Sequence, residues 1–451
     1  QLGAAAAVVA IAAAVFTGWN PFETTDSDQM TPSRRIVAVL PFENLGESED
    51  EYFADGITDE ITSRLALIQG LGVISRTSAH TYKNSRKSVH EIGTELKASF
   101  VLEGTIRWDR SKSPERVRIT PRLIRVSDDT HVWSDNYERA LTEIFAVQAA
   151  IASQIAEALD ITLMANERVA LSTRPTDDMD AYRAYLRGLE HFNAPGFSRE
   201  SFELGIQMLE RAVELDPGFG LAQARLSSMH SRLYHYGYDR SDHRLELAKK
   251  AADRALELQP SLAEAHLAQG HYFYWCERDY GSALGALREA RKIAPNNHEV
   301  WLTTAYVKRR QGEFESAIEL FEKDLELSPL DPNAAVGLGE TYSALRRFDE
   351  AERWLRRGIG LAPDDSYPYT ELALVSLRWR GDTAAARAIL AEMPPVFGTE
   401  ECRVQYLVEL LDRRYDEALE LLSRCPVEIL EAGIFYKPTA LFEGMTLGLM
   451  N

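Results

Sequence analysis

Three carboxylates crowd around a glycine in the stretch DGITDE, at Asp55, Asp59 and Glu60. At this spacing they could act as a general acid and base or hold a divalent cation. They could equally charge the first turn of a helix, where the dipole favours them by about 0.3–1 kcal/mol. No His or Cys stands beside them to complete a ligand set, and no nucleophile with a partnering base is evident. Gly56 interrupts the acidic run just before Ile57, Ile61, Leu65 and Ile68 begin to recur at helical spacing. The cluster is read as the start of a helix. No catalytic residue, cofactor or metal is expected.

A second charged group is LEGTIRWDR, with Glu103, Arg107 and Arg110, next to Arg116, Arg118 and Arg122. Cross-strand ion pairing on a solvated face accounts for it. The rival reading is an anion-binding or partner surface. Gly70 to Gly72 lack the Lys-Ser/Thr of a phosphate loop. His266 and His271 have no second ligand motif, so a metal is not expected there.

The elements that must position these residues change character along the chain. Ile36 to Leu40 is a continuous apolar run, as in a strand buried on both faces. A helix then follows through Ile68, a short strand over Val73 to Ser75, and a helix around Val89, Ile92 and Leu96. From Phe100 the period becomes two. Strands over Phe100 to Asp109, Arg116 to Val126 and His131 to Tyr137 should form an antiparallel meander, with Pro121 implying an edge or a bulge. Ile144, Ile151, Ile155 and Leu159 mark an amphipathic helix that ends before Pro175.

From about Asp180 the pattern is helical only, and it repeats. Pro217, Pro260, Pro295, Pro329 and Pro363 close successive units, 43, 35, 34 and 34 residues apart. A period near 34 of paired helices resembles the tetratricopeptide repeat. Leu338-Gly339, Tyr342, Ala351 and Pro363 show the pattern best; Trp301, Gly312, Ala317, Phe321 and Pro329 repeat it. The long first step is read as an insertion, Gly237 to His243, between the helices of one unit. About seven units fill residues 180–451, the last ones degenerate. The first helix of each pair lines the concave side of such a superhelix, which accepts peptides. Aligning the units aims His271, Tyr274, Tyr306, Arg309, Asn333, Glu340 and Arg378 toward that groove, as anchors or as packing between repeats.

The 451 residues carry a formal charge of −19, with 45% apolar and 26% charged side chains. This balance argues against a nucleic-acid surface, which needs clustered Lys and Arg. Three cysteines make no disulfide framework; Cys402 and Cys425 could meet across one helical hairpin but are read as buried thiols. Leu2 to Trp19 carries no charge and is long enough to span a bilayer. Residues 1–20 are therefore expected as a transmembrane helix and 21–34 as a linker, with the core of a signal peptide as the rival. Acidic residues precede Arg34 and Arg35 downstream, which places the bulk of the chain outside the cytoplasm.

The segments VAVLPFENLGESEDEYFADGITDEI, FVLEGTIRW, HVWSDNYER and LTEIFAVQAAIASQIAEAL, in this order, resemble the TolB-like amino-terminal domain. The resemblance covers roughly residues 35–163, within an α/β domain read as 35–172. In that family the α/β domain and tetratricopeptide repeats are joined by one membrane span to a cytoplasmic effector. The effector is a class III adenylate cyclase, a Ser/Thr protein kinase or a winged-helix regulator. The resemblance implies a non-catalytic, membrane-anchored module in the bacterial periplasm that senses a protein or peptide. Part of a cyclase or kinase polypeptide, or an assembly scaffold, are the alternatives. An effector domain of about 100–300 residues upstream of Gln1 is expected, as is continuation beyond Asn451.

Overall fold

The computed structural model describes residues 35–194, 198–394 and 399–425, two short strands beyond them, and Leu449. The expected membrane span and linker, residues 1–34, lie outside the described residues. Among the described residues no helix is long and apolar enough to cross a membrane.

The first strand, β1 (Arg35–Val39), runs parallel to β3 (Leu71–Val73) on one side and β4 (Phe100–Asp109) on the other. Val37 and Val39 enter one core with Ile57, Ile61 and Leu65, while Ala38 and Leu40 enter another with Ile74, Ile92 and Leu96. Both faces are covered, which a strand without polar alternation requires. A short β2 (Glu43–Asn44) continues along β4. Next to β4 lies the antiparallel β5 (Arg116–Arg125), and both β6 (Thr130–Ser134) and β7 (Tyr137–Ala140) pair with it. The third strand of the expected meander is thus two strands.

Pro121 is not on an edge, because β5 has neighbours on both sides. It faces Gly104 of β4, and its carbonyl accepts from the Asp135 N–H (3.3 Å) at the gap between β6 and β7. The N–H that proline lacks falls at this gap, beside a register shift at Leu123 and Ile124.

The expected helix start at Asp55-Gly56 also needs correction. Helix α1 (Glu51–Ala66) begins a turn earlier, so Asp55, Gly56, Asp59 and Glu60 lie inside it. Gly56 is there for closeness rather than for a turn. A Cβ at that position would sit 2.6 Å from Leu186. Helices α2 (Arg76–His80) and α3 (Val89–Glu95) cover the other face of the sheet, and Ser88 and Glu91 close a capping box on α3. Helices α4 (Ile144–Ala158) and α5 (Ala165–Ser172) complete the α/β layer.

Seven helical hairpins follow among the described residues. They are α6 (Met179–Phe192) with α7 (Arg199–Leu215), α8 (Gly220–His235) with α9 (Asp242–Leu258), and α10 (Ala263–His271) with α11 (Tyr280–Ile293). Then come α12 (His298–Arg310) with α13 (Phe314–Leu327), and α14 (Pro332–Ala344) with α15 (Phe348–Leu361). The last are α16 (Tyr367–Arg380) with α17 (Thr383–Ala391), and α18 (Thr399–Leu411) with α19 (Tyr415–Arg424). Helix α10 runs on into a π-helical turn, Tyr272–Glu277. Close helix pairing rests on small residues: a Cβ at Gly188 would meet Leu209 at 2.7 Å, and one at Gly339 would meet Leu355 at 2.6 Å. Cys402 and Cys425 are paired as a disulfide across α18 and α19, with Cα atoms 5.9 Å apart, rather than standing as separate thiols.

The sheet layer and the hairpins form one compact unit from Arg35 onward. Loops that open successive hairpins dock on the layer. Asn296 Nδ2 donates to the Ile68 carbonyl (2.9 Å), Ser75 N–H to the Leu327 carbonyl (2.7 Å), and Leu330 N–H to Ser78 Oγ (2.9 Å). Leu330 packs against the core under α2 and α3.

Candidate functional site

The acidic trio sits where α1 meets α6, and each carboxylate has its own partner. Asp55 pairs with Lys83 Nζ at 2.6 Å, on the side of the α/β layer. Asp59 pairs with Arg76 Nε at 2.7 Å and accepts from Asn193 Nδ2 at 3.2 Å, so it spans the layer and the first hairpin. Glu60 is buried and accepts from the Tyr185 hydroxyl at 3.3 Å. Burial pushes Asp59 up to about 6 against the pull of Arg76, and Glu60 up to about 7 against that of Arg64. Asp59 and Glu60 thus clamp the layer to the first hairpin, while Asp55 is held within the layer.

The arginines of the meander pair across strands. Glu103 faces Arg122 in register, 3.8 Å from it, and Arg118 meets Glu138 of β7 at 2.6 Å. Arg110 reaches back to Asp50 at 2.5 Å.

Of the seven residues expected in the groove, six lie on first helices and Tyr274 in the turn that continues α10, and most of them have partners within the chain. His271 is buried, 3.2 Å from both Ser228 Oγ and Thr303 Oγ1 and stacked on Trp275. Burial lowers its pKa to about 3, so the ring is neutral. Tyr274 is buried among His235, Trp275 and Tyr280. Both contact side chains of neighbouring repeats. The α10 glycine alignment points them inward, and the π-helical turn then shifts the phase of the residues after His271.

Tyr306, Arg309, Asn333, Glu340 and Arg378 are brought together in a ladder. The Tyr306 hydroxyl donates to the Asn333 carbonyl at 3.0 Å, and Arg309 forms an ion pair with Glu340. Glu340 also accepts from the Tyr367 hydroxyl at 2.8 Å, and Arg378 Nη1 donates to Ser343 Oγ at 3.1 Å. Tyr367 and Arg378 keep exposed surface at the C-terminal end of this ladder, while Arg309 is only 10% exposed.

One cluster escaped the sequence. Arg225 and Arg232 of α8 reach Glu299 of α12, two hairpins further on, at 3.1 and 3.4 Å. Despite burial, the two guanidinium groups hold the Glu299 carboxyl down at about 2. Separations of 74 and 67 residues leave no local spacing from which this cluster could have been found. Another group, His298, Asp324 and Asp331, offers three ligand atoms within 4.8 Å of one another.

Known proteins resemble parts of this chain. The sequence model of the family described as Tetratricopeptide repeat matches residues 308–373. A Rhizobium meliloti protein named "Putative adenylate cyclase 3" is 37% identical over 200 residues, 44% of this chain and 32% of its own length. Superkiller protein 3 of Schizosaccharomyces pombe is 26% identical over 233 residues, 49% of this chain and 16% of its own length. The chain thus spans a third or less of these relatives. Among solved structures, a tetratricopeptide repeat protein from Parabacteroides merdae is 15% identical with a TM-score of 0.42, over 61% of this chain and 100% of that one. The chain carries tetratricopeptide repeats, preceded by a sheet-containing region.

Proposed function

We propose that this chain is a non-catalytic recognition module, in which a TolB-like domain, residues 35–172, is docked on repeats over residues 180–451. The repeats bind a protein or peptide, and the bound state governs an effector. The observation that carries this reading is the ladder on α12, α14 and α16. It holds a row of aromatic and charged groups in fixed positions and leaves Tyr367 and Arg378 exposed at its end. Pre-organised aromatic and arginine side chains are the usual energetic anchors of an interface.

Identity of 37% to the cyclase-named relative favours a second reading, that the module is part of an adenylate cyclase polypeptide. Cyclic AMP formed by the complete protein, and altered when the repeats are deleted, is what that reading expects. The uncharged stretch from Leu2 to Trp19 supports a membrane anchor with the bulk of the chain in the periplasm. The Cys402–Cys425 pair fits an oxidising compartment.

Selection of displayed peptides on the purified chain tests the first reading. Enriched peptides should lose about 2 kcal/mol or more of binding to Arg378→Ala or Tyr367→Ala, with thermal unfolding unchanged. No enrichment, or binding indifferent to both substitutions, would overturn it.

A further inference from the structure

Two side chains in the fourth hairpin depart from the internal pattern of the repeats. Five residues before each closing proline stand Ala212, Ala255, Ala290 and Gly358, but Asp324 takes that place before Pro329. Three residues after the prolines stand Gly220, Ala263, Pro332 and Ser366, but His298 takes that place after Pro295. Small residues suit these positions because the paired helices approach closely there. In this hairpin an imidazole and a carboxylate replace them together. They are joined by Asp331, which caps α14 through Oδ1 with the Asn333 N–H (2.8 Å) and turns Oδ2 toward His298.

The Asp324 side chain is 0% exposed and its oxygens make no hydrogen bond of good geometry; the group that faces it is His298 Nδ1, an ion-pair partner at 3.4 Å. Among the described residues no Arg or Lys pairs with Asp324 or Asp331. A buried carboxylate left in this condition calls for an explanation, of which a bound ion is one. The His298–Asp324 distance fits it. His298 Nδ1 lies 3.4 Å from Asp324 Oδ1 and 3.8 Å from Asp331 Oδ2. A charge-assisted N–H···O bond would be about 2.7–2.9 Å. Zinc bonds of about 2.0–2.2 Å put tetrahedral ligand atoms roughly 3.3–3.6 Å apart, a range that the 3.4 Å separation meets and from which the 3.8 Å one departs by a small side-chain shift.

We propose that His298, Asp324 and Asp331 bind a divalent transition-metal cation, Zn²⁺ foremost, at the junction of α12, α13 and α14. One imidazole nitrogen and two carboxylate oxygens suit a borderline cation, and its two positive charges offset the two carboxylates. A solvent molecule completes the coordination, on the side where His298 is 17% exposed. The site is structural. It ties two successive hairpins together beneath the loop whose Ser328 Oγ lies 2.6 Å from Ser75 Oγ of the α/β layer. The ion would therefore stiffen both the repeat stack and its docking.

Calorimetric titration of the chelator-stripped chain with Zn²⁺, and the ligand-field spectrum of its Co²⁺ form, test this. One equivalent should bind, with the bands of four-coordinate Co²⁺, and Zn²⁺ should raise the unfolding temperature. Asp324→Ala restores the residue found in sister repeats and should fold. It should lose affinity by more than the roughly 10–100-fold that a missing second-shell partner costs. His266→Ala, at a half-buried imidazole whose Nε2 faces the Pro260 carbonyl, should bind as the parent does. No binding to the parent chain would mean a plain buried charge cluster. Binding retained by Asp324→Ala would place the ion elsewhere. Either result overturns the proposal.

Discussion

Glu60 shows at the scale of one residue how burial changes a carboxylate's role. Burial raises its pKa from 4.5 to about 7, although Arg64 and Arg225 pull the other way. The folded state therefore holds this proton more tightly than the unfolded chain does. The resulting stabilisation is full below about 4.5 and is lost as the pH rises through about 7. Denaturant unfolding should show Glu60→Gln gaining about 1–3 kcal/mol on the parent between pH 5 and pH 8. Parallel pH profiles for the two proteins would refute this. Glu299 has the opposite sign: its pKa is held at about 2, so its contribution is present above 4.5 and is lost as pH falls. Glu299→Ala leaves Arg225 and Arg232 buried without their carboxylate. It should cost about 3 kcal/mol or more at pH 7, read from the urea midpoint; a change under about 1 kcal/mol would show the cluster to be solvated. Residue types and spacing singled out the acidic trio and a set of side chains on the hairpins. They could not reveal that Asp59 and Glu60 face Asn193 and Tyr185, more than a hundred residues away.

Elements were more legible than their ends. The proline period exposed paired helices because each hairpin must turn back after about 34 residues, a constraint written into every unit. Gly56 misled because a glycine after an aspartate reads locally as punctuation, whereas here it admits Leu186 against α1. Gly339 plays the same part between α14 and α15, with Leu355 2.6 Å from where a Cβ would be. Gly339→Leu should therefore lower stability by about 1–3 kcal/mol through overpacking, and calorimetric melting will show whether it does. Unchanged melting would mean that the helices part without cost. The Cys402–Cys425 bond closes 23 residues of the last described hairpin. Reduction, or Cys402→Ser, should destabilise that hairpin by roughly 2–4 kcal/mol. Amide exchange of α18 and α19 in the reduced and oxidised chain is the check, and equal exchange would count against a closed bond.

At the scale of the whole molecule, the α/β layer and the repeats share contacts that neither sequence pattern contains. Asn296, Ser328 and Leu330 occupy loops between hairpins, and local periodicity says nothing of what such loops touch. They dock on Ile68, Ser75 and Ser78, which joins the repeats to the layer. Recognition through the repeats is the central claim, and the surface on which it occurs can be mapped directly. Amide hydrogen exchange should be measured on the chain alone and with a saturating peptide from the display selection. Protection should concentrate on α14 and α16, around Glu340, Tyr367 and Arg378, with a smaller change at the Ser75 and Ser328 contact. Protection confined to the sheet, or none on the first helices of the hairpins, would contradict it.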